Sequence, residues 1–472
     1  MQMRALRRFT RALCIPSAIA ESTSNAAFSR LTPAGCVASE NVQLLMYAPP
    51  TYYTAPGNHV TLLQIILVNR HGDRGPISRK AGTATFLDEA RWELRMPSAK
   101  VQAAWDAVSP VHGPAQPYDE GEEPFGQLTE VGAAQCYALG EWLRNSLQLW
   151  APQLLPTEAR HISAHATNIR RTQQSAQNIL GGLLHDDEAL PLTVPITVRA
   201  LDDERLIPRP SVCPALRRRL DELADAKRDA TASPDEAAVL TRVQRALGYA
   251  EGALRLDQAR EVLVCAHTHG DALPAGLSDA DIGALLTINA KQWAVLYNDP
   301  TVATLGMGRL LAEVSAHLEA AANGDASAPR IVLLSGHDST LVPLLGALGV
   351  FDDLWPPYAA HLRIELGAIH DSPDGTTESL DEGGGPGAGL PIGTIAARAL
   401  YQGMPLPLAQ AMGETPADPA GWVPLDSLRS LLHARMISSA EDLVEACAAV
   451  GSAQEAGADS SLQDTLVGSK RP

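Results

Sequence analysis

The sequence contains no apolar stretch of the roughly 20 residues that a membrane-spanning helix needs, so no transmembrane segment is expected. Basic residues are also in the minority, because 37 Lys and Arg face 54 Asp and Glu, for a formal net charge of -17. This balance leaves no broad basic surface and argues against nucleic acid as a partner. Aromatic residues make up only 4% of the chain, so the core must be built mainly from Leu, Val and Ala.

The cysteines are scattered along the chain, and no two of them form a Cys-x-x-Cys pair: Cys14, Cys36, Cys136, Cys213, Cys265 and Cys447. This spacing indicates neither a zinc site nor a dense disulfide framework. Free, buried thiols in a reducing compartment are therefore the expected state of these residues.

One heptapeptide carries the strongest functional signal, Arg70-His71-Gly72-Asp73-Arg74-Gly75-Pro76. It closely follows residues 62–68, a short and largely apolar run that predicts a buried β-strand. In open α/β sheets, ligands bind at the carboxyl ends of the strands. Guanidinium groups match phosphate oxygens and a neutral imidazole can attack phosphorus, so the loop predicts a phosphate site with its own nucleophile.

Two further segments place similar side chains after predicted strands. Residues 331–335 form a second apolar run, which leads directly into Gly336, His337 and Asp338. Residues 161–176, which include Arg170 and Arg171, predict a third strand, then a polar loop and then a helix. Three strand-end loops thus supply arginines, histidines and aspartates, which independent surface loops would not be expected to do.

Together these segments resemble the histidine acid phosphatase family. The resemblance rests on Arg70-His71-Gly72-x-Arg74-x-Pro76, on Arg171-Thr172-x-x-Ser175-Ala176 and on the late His337-Asp338 pair. Residues 126–144, 167–169 and 348–357 resemble more closely the lysophosphatidic acid phosphatase branch that is found in mitochondria. Secreted members of the family commonly carry disulfides, which leaves two or three bridges as the alternative to free thiols.

The predicted strands and helices, with the resemblance, indicate an α/β fold: a three-layer α/β/α core with a mostly parallel central sheet plus an inserted, smaller α-helical cap domain. The core is expected in two parts, residues 58–205 and 325–450, because the predicted catalytic strands fall in both. Residues 206–324 have helical periodicity and are similar to the domain that caps the family's active site. Residues 1–57 are expected to be a targeting or flexible segment, and residues 451–472 a disordered tail.

The resemblance implies a role for each residue of the predicted site. His71 would attack phosphorus and carry a phosphohistidine, while Asp338 would protonate the leaving alkoxide and later activate water. Because Asp338 must first be protonated, activity is expected to be favoured below neutral pH. Arg171 is preferred to Arg170 because it directly precedes Thr172, as in the family pattern. Four residues would bind the phosphate oxygens: Arg70, Arg74, Arg171 and His337.

Two clusters have the spacing of metal ligands, His267-x-His269-x-Asp271 and His161-x-x-x-His165. The arginines of the predicted site already neutralise phosphate charge, so neither a metal nor another cofactor is expected. The predicted function is a metal-independent acid phosphomonoesterase for a small phosphate monoester, and the branch resemblance alone implies a lysophosphatidic acid. The alternatives are a phosphatase for sugar or inositol phosphates, a phosphomutase and a non-catalytic phosphate-binding protein. The oligomeric state is left open.

The amino terminus has the composition of a mitochondrial transit peptide. Up to residue 41 its only acidic residues are Glu21 and Glu40, and it is rich in serine and threonine. Four arginines fall on one face of a predicted helix: Arg4, Arg7, Arg8 and Arg11. A secretory signal centred on residues 12–20 is the alternative, although Pro16 interrupts its apolar run.

Overall fold

The computed structural model describes residues 54–57, 59–77, 88–114, 124–185, 192–229, 233–370 and 390–450. The predicted targeting segment, apart from residues 54–57, and the predicted tail at 451–472 lie outside these ranges, so both stay predictions. None of the described helices has the length and apolarity needed to cross a bilayer.

A nine-stranded sheet lies at the centre of the described structure. Its strands, in chain order, are β1 (Val60–Arg70), β2 (Val111–His112), β3 (Ile162–Ala166), β4 (Ile196–Val198), β5 (Ile331–Gly336), β6 (His361–Ile369), β7 (Ile395–Tyr401), β8 (Met404–Pro405) and β9 (Val423–Pro424). Strands β2, β4, β3, β5 and β1 lie side by side in that order and are parallel. Beyond β1, strands β6 to β9 extend the sheet in antiparallel pairs.

Helices cover both faces of this sheet. In chain order they are α1 (Glu89–Glu93), α2 (Ala99–Val108), α3 (Glu130–Trp150), α4 (Arg170–Leu183), α5 (Pro214–Glu222), α6 (Ala224–Asp229), α7 (Pro234–Ala246), α8 (Leu256–Thr268), α9 (Asp279–Tyr297), α10 (Pro300–Ala322), α11 (Asp338–Ala347), α12 (Leu408–Ala411) and α13 (Leu425–His433). Residues 440–450 are helical as well. Helices α3 and α4 pack on one face of the sheet, and α10, α11 and α13 pack on the other. The predicted three-layer α/β/α fold is therefore confirmed.

Strand β1 explains why its sequence is apolar almost without interruption. Ile66 and Val68 face the layer of α10 and α11, whereas Ile65 and Leu67 face the layer of α3 and α4. All four side chains are fully buried. A parallel strand that is covered on both faces needs apolar residues at every position, in contrast to the alternation of a strand with one face in water.

Between residues 206 and 324 the described chain forms six helices, α5 to α10, and no strand. Helices α7, α8 and α9 share a hydrophobic core of their own, which includes Val243, Leu263 and Leu285. Trp355, from the loop after α11, packs into this same core. Helix α10 instead contributes Leu310 to the layer that covers the sheet. The division of the chain into domains stays a prediction.

Cys213 and Cys447 form a disulfide, so the expectation of free thiols is wrong for this pair. Their Cα atoms lie 5.7 Å apart, although 234 positions separate them in sequence. The tertiary fold brings the two cysteines together, so their spacing in the sequence could not reveal the pair. Cys136 and Cys265 are free and buried, as expected. The two remaining cysteines, Cys14 and Cys36, lie outside the described residues.

Candidate active site

The carboxyl ends of β1, β3 and β5 bring the three predicted loops together. Arg70 is in register with Gly336 across β1 and β5, and Ala166 is in register with Ser335 across β3 and β5. The backbone N–H of His71 donates to the carbonyl of Gly336 over 2.9 Å. The loop after β1 is therefore anchored to the loop after β5, at the edge where ligands bind in α/β folds.

The His71 imidazole is buried and fixed in one orientation. Its Nδ1 lies 2.7 Å from the carbonyl oxygen of Gly72. Because a carbonyl only accepts hydrogen bonds, Nδ1 must carry the ring proton, which leaves a lone pair on Nε2. Burial, followed by the positive charges of Arg171 and Arg70, holds the pKa of His71 well below its usual value. The ring is thus neutral at physiological pH, as a nucleophile must be.

His337 lies next to His71, with 5.5 Å between the ring centroids and the rings edge to face. Its Nε2 is 2.9 Å from the hydroxyl of Thr167, and its Nδ1 is 3.5 Å from a terminal nitrogen of Arg171. Burial and the charge of Arg171 lower the pKa of His337 well below its usual value. The first turn of α4 and the loop after β5 thus place an arginine and a second histidine beside the predicted nucleophile.

Asp338 is the first residue of α11 and forms an ion pair with Arg70. The distance from Arg70 Nη2 to Asp338 Oδ2 is 3.3 Å, while Asp338 Oδ1 accepts from the backbone N–H of Ser339. Arg70 also donates to the carbonyl of Pro356 and covers the ring of Tyr358 at 4.3 Å. Burial alone would raise the pKa of Asp338, but the surrounding arginines outweigh it and lower this pKa to about 2. The carboxyl group is therefore ionised in the free protein.

Arg74, the second arginine of the heptapeptide, is held by helix α8 of the helical region. Its Nη1 lies 2.7 Å from Oε1 of Glu261, which also accepts from the backbone N–H of Ile77. Burial would lower the pKa of Arg74, but the Glu261 carboxylate outweighs this effect and raises it. The position of this guanidinium therefore depends on a residue from a distant part of the sequence.

Asp73 stabilises the loop through contacts with two other elements. Its Oδ2 accepts from the hydroxyl of Thr129 and from Nε2 of His269, at 2.6 Å in each case. Its backbone N–H donates to the side chain of Gln135 over 2.8 Å. His269 thus contacts the loop after β1.

The two spacings typical of metal ligands do not form a metal site in the described structure. Asp271 accepts from both terminal nitrogens of Arg95, at 2.6 and 3.0 Å. His161 contacts Thr157, while His165 contacts Ser163 within its own strand. No group of three His, Cys, Asp or Glu side chains within the described ranges could hold a metal ion.

The structure adds two charged residues of α8 that the sequence analysis did not find, Arg260 and the Glu261 that holds Arg74. Arg260, on α8, lies 3.9 Å from Asp338 and 3.7 Å from the ring centroid of Trp355. Periodicity identified helices in this region. It did not show that one of them turns Arg260 toward Asp338 and Glu261 toward the predicted phosphate-binding loop after β1, residues 71–76 (the phosphate loop). The sequence offered one signal for this part of the site: Trp355 belongs to the segment 348–357, which resembles one branch of the family.

Arg170 and Arg171 point to different places. Arg171 is buried against His337, whereas Arg170 donates to Gln102 and lines a cavity of about 490 Å³. The same cavity is lined by polar side chains of α2 and α4, among them Asp106, Gln173 and Gln177. The geometry thus places Arg171 rather than Arg170 with the other predicted phosphate ligands.

Residues 61–372 match the histidine phosphatase superfamily (branch 2), and this range includes all three loops of the site. The chain belongs to this family. The predicted family and the predicted enzyme class, a histidine acid phosphatase, are thereby confirmed.

Known relatives resemble most of the chain at low identity. Counting factor 60 of Dictyostelium discoideum is 28% identical over 331 residues, which are 65% of this chain and 76% of that protein. Lysophosphatidic acid phosphatase type 6 of Homo sapiens is 26% identical over 325 residues, 65% of this chain and 73% of that protein. The solved Hafnia alvei phytase in complex with myo-inositol hexakis sulphate has a TM-score of 0.53 at 15% identity, with 83% of this chain and 99% of that chain covered. At such identity the structural match shows the fold alone.

Proposed function

We propose that the protein is a metal-independent acid phosphomonoesterase that forms a phosphohistidine on His71. The observation that carries this proposal is the orientation of His71. Its Nδ1 is hydrogen-bonded to the carbonyl oxygen of Gly72, which leaves the lone pair of Nε2 for attack on phosphorus. Attack would form a bond from Nε2 to phosphorus and break the bond to the leaving oxygen. Splitting hydrolysis into two displacements lowers the barrier of each.

In this mechanism the phosphate oxygens are held by the positive groups around His71. Arg70, Arg74 and Arg171 are each close enough to lower the pKa of His71, so their charges converge on the reacting centre. His337 Nδ1 faces Arg171, which can only donate, so the ring proton of His337 lies on Nε2 beside the Thr167 hydroxyl. His337 would donate this proton to a phosphate oxygen in place of its contact with Thr167. Fixed cationic forks stabilise the charge that develops on these oxygens in the transition state.

Asp338 would donate a proton to the leaving oxygen, although its pKa in the free protein is only about 2. A bound phosphate dianion would neutralise the same arginines that keep this carboxyl group ionised, and it would therefore raise the pKa of Asp338. Binding of substrate thus supplies the acid form, and we expect activity to be favoured below neutral pH. A rate that still rises into the alkaline range would contradict this role.

The second displacement uses the same two residues in reverse. Once the alcohol has left with its proton, the Asp338 carboxylate can accept a proton from water. The resulting hydroxide oxygen bonds to phosphorus as the bond to His71 Nε2 breaks, which releases inorganic phosphate and the neutral imidazole.

For the substrate we propose a lysophosphatidic acid-type lipid phosphate. The similarity to the human lysophosphatidic acid phosphatase supports this choice.

An inositol or sugar phosphate is the second candidate substrate. It is favoured by the polar cavity beside α4, where Arg170 and several glutamines could bind hydroxyl or phosphate groups of a polar leaving group.

Steady-state hydrolysis in the presence of EDTA tests these proposals. The substrates are oleoyl-lysophosphatidic acid, glycerol 3-phosphate and inositol hexakisphosphate, and the wild type is compared with His71→Ala. We expect chelator-resistant release of phosphate that is lost in the variant, with the lipid as the preferred substrate. Preference for the inositol phosphate would favour the second candidate. Absence of any turnover by the wild type would favour a phosphate-binding protein without catalysis.

We propose that the protein is located in mitochondria, on the basis of its arginine-rich amino terminus. The secretory pathway is the alternative, and the Cys213–Cys447 disulfide favours it because such bonds persist in oxidising compartments. A fusion of residues 1–57 to a fluorescent protein distinguishes the two by where the fluorescence accumulates.

A further inference from the structure

Arg260 is a buried cation beside Asp338 that the proposed mechanism does not use. It lies on α8, and only 7% of the residue is exposed. Burying a guanidinium group is costly unless its charge is compensated, so a position of this kind needs a specific reason. The carboxylate of Asp338 lies 3.9 Å from Arg260, and the proposed reaction requires this group to exchange a proton. Asp257, on the same helix, is the second carboxylate whose charge stabilises that of Arg260.

We propose that Arg260 is a positioning residue for Asp338, which holds the carboxyl group beside the leaving oxygen and sets the pH range in which the enzyme works. This inference rests on the proposed role of Asp338 as the proton donor. It adds a function for the helical region, since α8 would then control the chemistry as well as support the phosphate loop through Glu261.

The contacts of Arg260 fix its guanidinium in place. Its Cζ lies 3.7 Å from the centre of the Trp355 ring, a distance typical of a close cation–π contact. Trp355 is 2% exposed and packs edge to face on Trp293, so the ring that supports the guanidinium is itself immobilised. Arg260 therefore presents its charge to Asp338 from a rigid platform.

Arg70 and Arg260 contact the same carboxylate oxygen but have different partners otherwise. Arg70 Nη2 lies 3.3 Å from Asp338 Oδ2, and Arg70 is also a proposed phosphate ligand. A bound phosphate would neutralise part of the positive charge of Arg70, which would then stabilise the Asp338 carboxylate less. Arg260 then remains the cation that belongs to Asp338, and the backbone N–H of Ser339 continues to hold the other carboxylate oxygen.

The charges around Asp338 give the sign of the expected effect. Burial lowers the pKa of Arg260 and Asp338 opposes this shift, so each charge stabilises the other. Removal of the Arg260 charge would make Asp338 bind its proton more tightly. Because the rate falls as Asp338 loses its proton, the descending limb of the pH profile would then move to higher pH. The other charged or titratable groups that face Asp338 come from β1, the loop after it, α9 and the loop before α11: Arg70, Arg74, Tyr297 and His337.

The test is the pH dependence of kcat for glycerol 3-phosphate in the full-length wild type, Arg260→Gln, Arg260→Met and Arg260→Lys. In the two neutral variants we expect the descending limb to move upward by about one pH unit, the lower end of the effect of a close opposite charge. Arg260→Lys keeps the charge and should restore most of the wild-type profile. Arg260→Met also covers the Trp355 ring, so a shift shared by Gln and Met reports charge rather than packing.

Arg255→Gln is the matched control, because it removes the same charge from an exposed position at the start of the same helix. An unchanged descending limb in folded Arg260→Gln or Arg260→Met would overturn the inference, and so would an equal shift in Arg255→Gln. Unfolding of both neutral variants would also overturn it, because Arg260 would then be required for folding rather than for setting the pH range. Absence of phosphatase activity in the wild type would instead contradict the proposed function on which the inference rests.

Discussion

Replacing Gly132 with alanine should displace the loop after β1, which carries His71, and so lower phosphatase activity through a steric contact alone. Gly132 lies in the first turn of α3, where its Cα packs directly on the loop after β1. A Cβ at this position would lie 2.1 Å from the carbonyl oxygen of Asp73 and 2.7 Å from the nitrogen of Asp73. The fit is reciprocal, since a Cβ on Gly72 would lie 2.2 Å from the carbonyl oxygen of Gly132.

The size of the effect follows from these distances. Cβ contacts in proteins essentially never fall below 3.0 Å, so helix and loop would have to separate by about 0.9 Å in this densely packed region. A displacement of this size costs about 100-fold in rate where reacting atoms must align, and this is the expected fall in kcat/KM. The free energy of unfolding should fall by about 1–3 kcal/mol, the usual cost of overpacking. Helix propensity acts in the opposite direction, because alanine is favoured over glycine by about 1 kcal/mol.

The assay is hydrolysis of p-nitrophenyl phosphate together with thermal unfolding. Gly181→Ala is the matched control, because a Cβ at this position in α4 would lie 3.5 Å from the Tyr137 ring, an ordinary contact. The control should keep wild-type activity and gain up to about 1 kcal/mol in stability. Wild-type kcat/KM in Gly132→Ala would refute the reasoning, as would an equal loss in Gly181→Ala.

Three further predictions follow from other contacts. In Asp338→Asn, kcat/KM, which reports formation of the phosphohistidine, should fall by about 10²–10⁴-fold for glycerol 3-phosphate and much less for p-nitrophenyl phosphate, because an activated leaving group needs no proton; equal losses of kcat/KM would contradict the acid role. In Glu261→Gln, Arg74 loses its buried partner, so the free energy of unfolding should fall by about 3 kcal/mol and phosphate should raise the melting temperature more than in the wild type. An unchanged phosphate response would argue against a phosphate contact of Arg74. In Cys447→Ser, loss of the bond to Cys213 should lower the free energy of unfolding by about 2–5 kcal/mol, measured by denaturant titration without reductant; an unchanged value would indicate that the bond does not form.

The parallel half of the fold could be predicted from the sequence because its strands have an unmistakable composition. Residues 62–68 of β1 are apolar except at Gln64, and residues 331–334 of β5 are all apolar. Charged or titratable residues of the site follow each run within two or three positions. The antiparallel half was harder to recognise because its strands contain buried charges. Glu365 Oε2 lies 2.7 Å from Arg398 Nε and Glu365 Oε1 lies 2.9 Å from Arg363 Nε, with all three residues fully buried. A sequence pattern cannot tell such compensated charges from those of a surface loop.

The site itself could be predicted in part. Strand ends meet at one edge of a parallel sheet, so the approach of His71 to His337 followed from local sequence and topology. The contacts of Arg260 with Asp338 and of Glu261 with Arg74 did not, because they depend on how α8 packs across the sheet edge. Helical periodicity shows that a segment is a helix, but it does not show which loop from a distant part of the sequence its polar side chains will contact. The Cys213–Cys447 bond was missed for the same reason.

Trapping of the covalent intermediate tests the central claim most directly. Asp338→Asn should form the phosphohistidine from a labelled aryl phosphate but hydrolyse it slowly, since the residue that activates water is absent. We expect one label per chain, stable to alkali and labile to acid, on the peptide that contains His71, and no label when His71 is replaced by asparagine. Label on another residue, or full turnover by the wild type with no label on His71 under any quench, would contradict it.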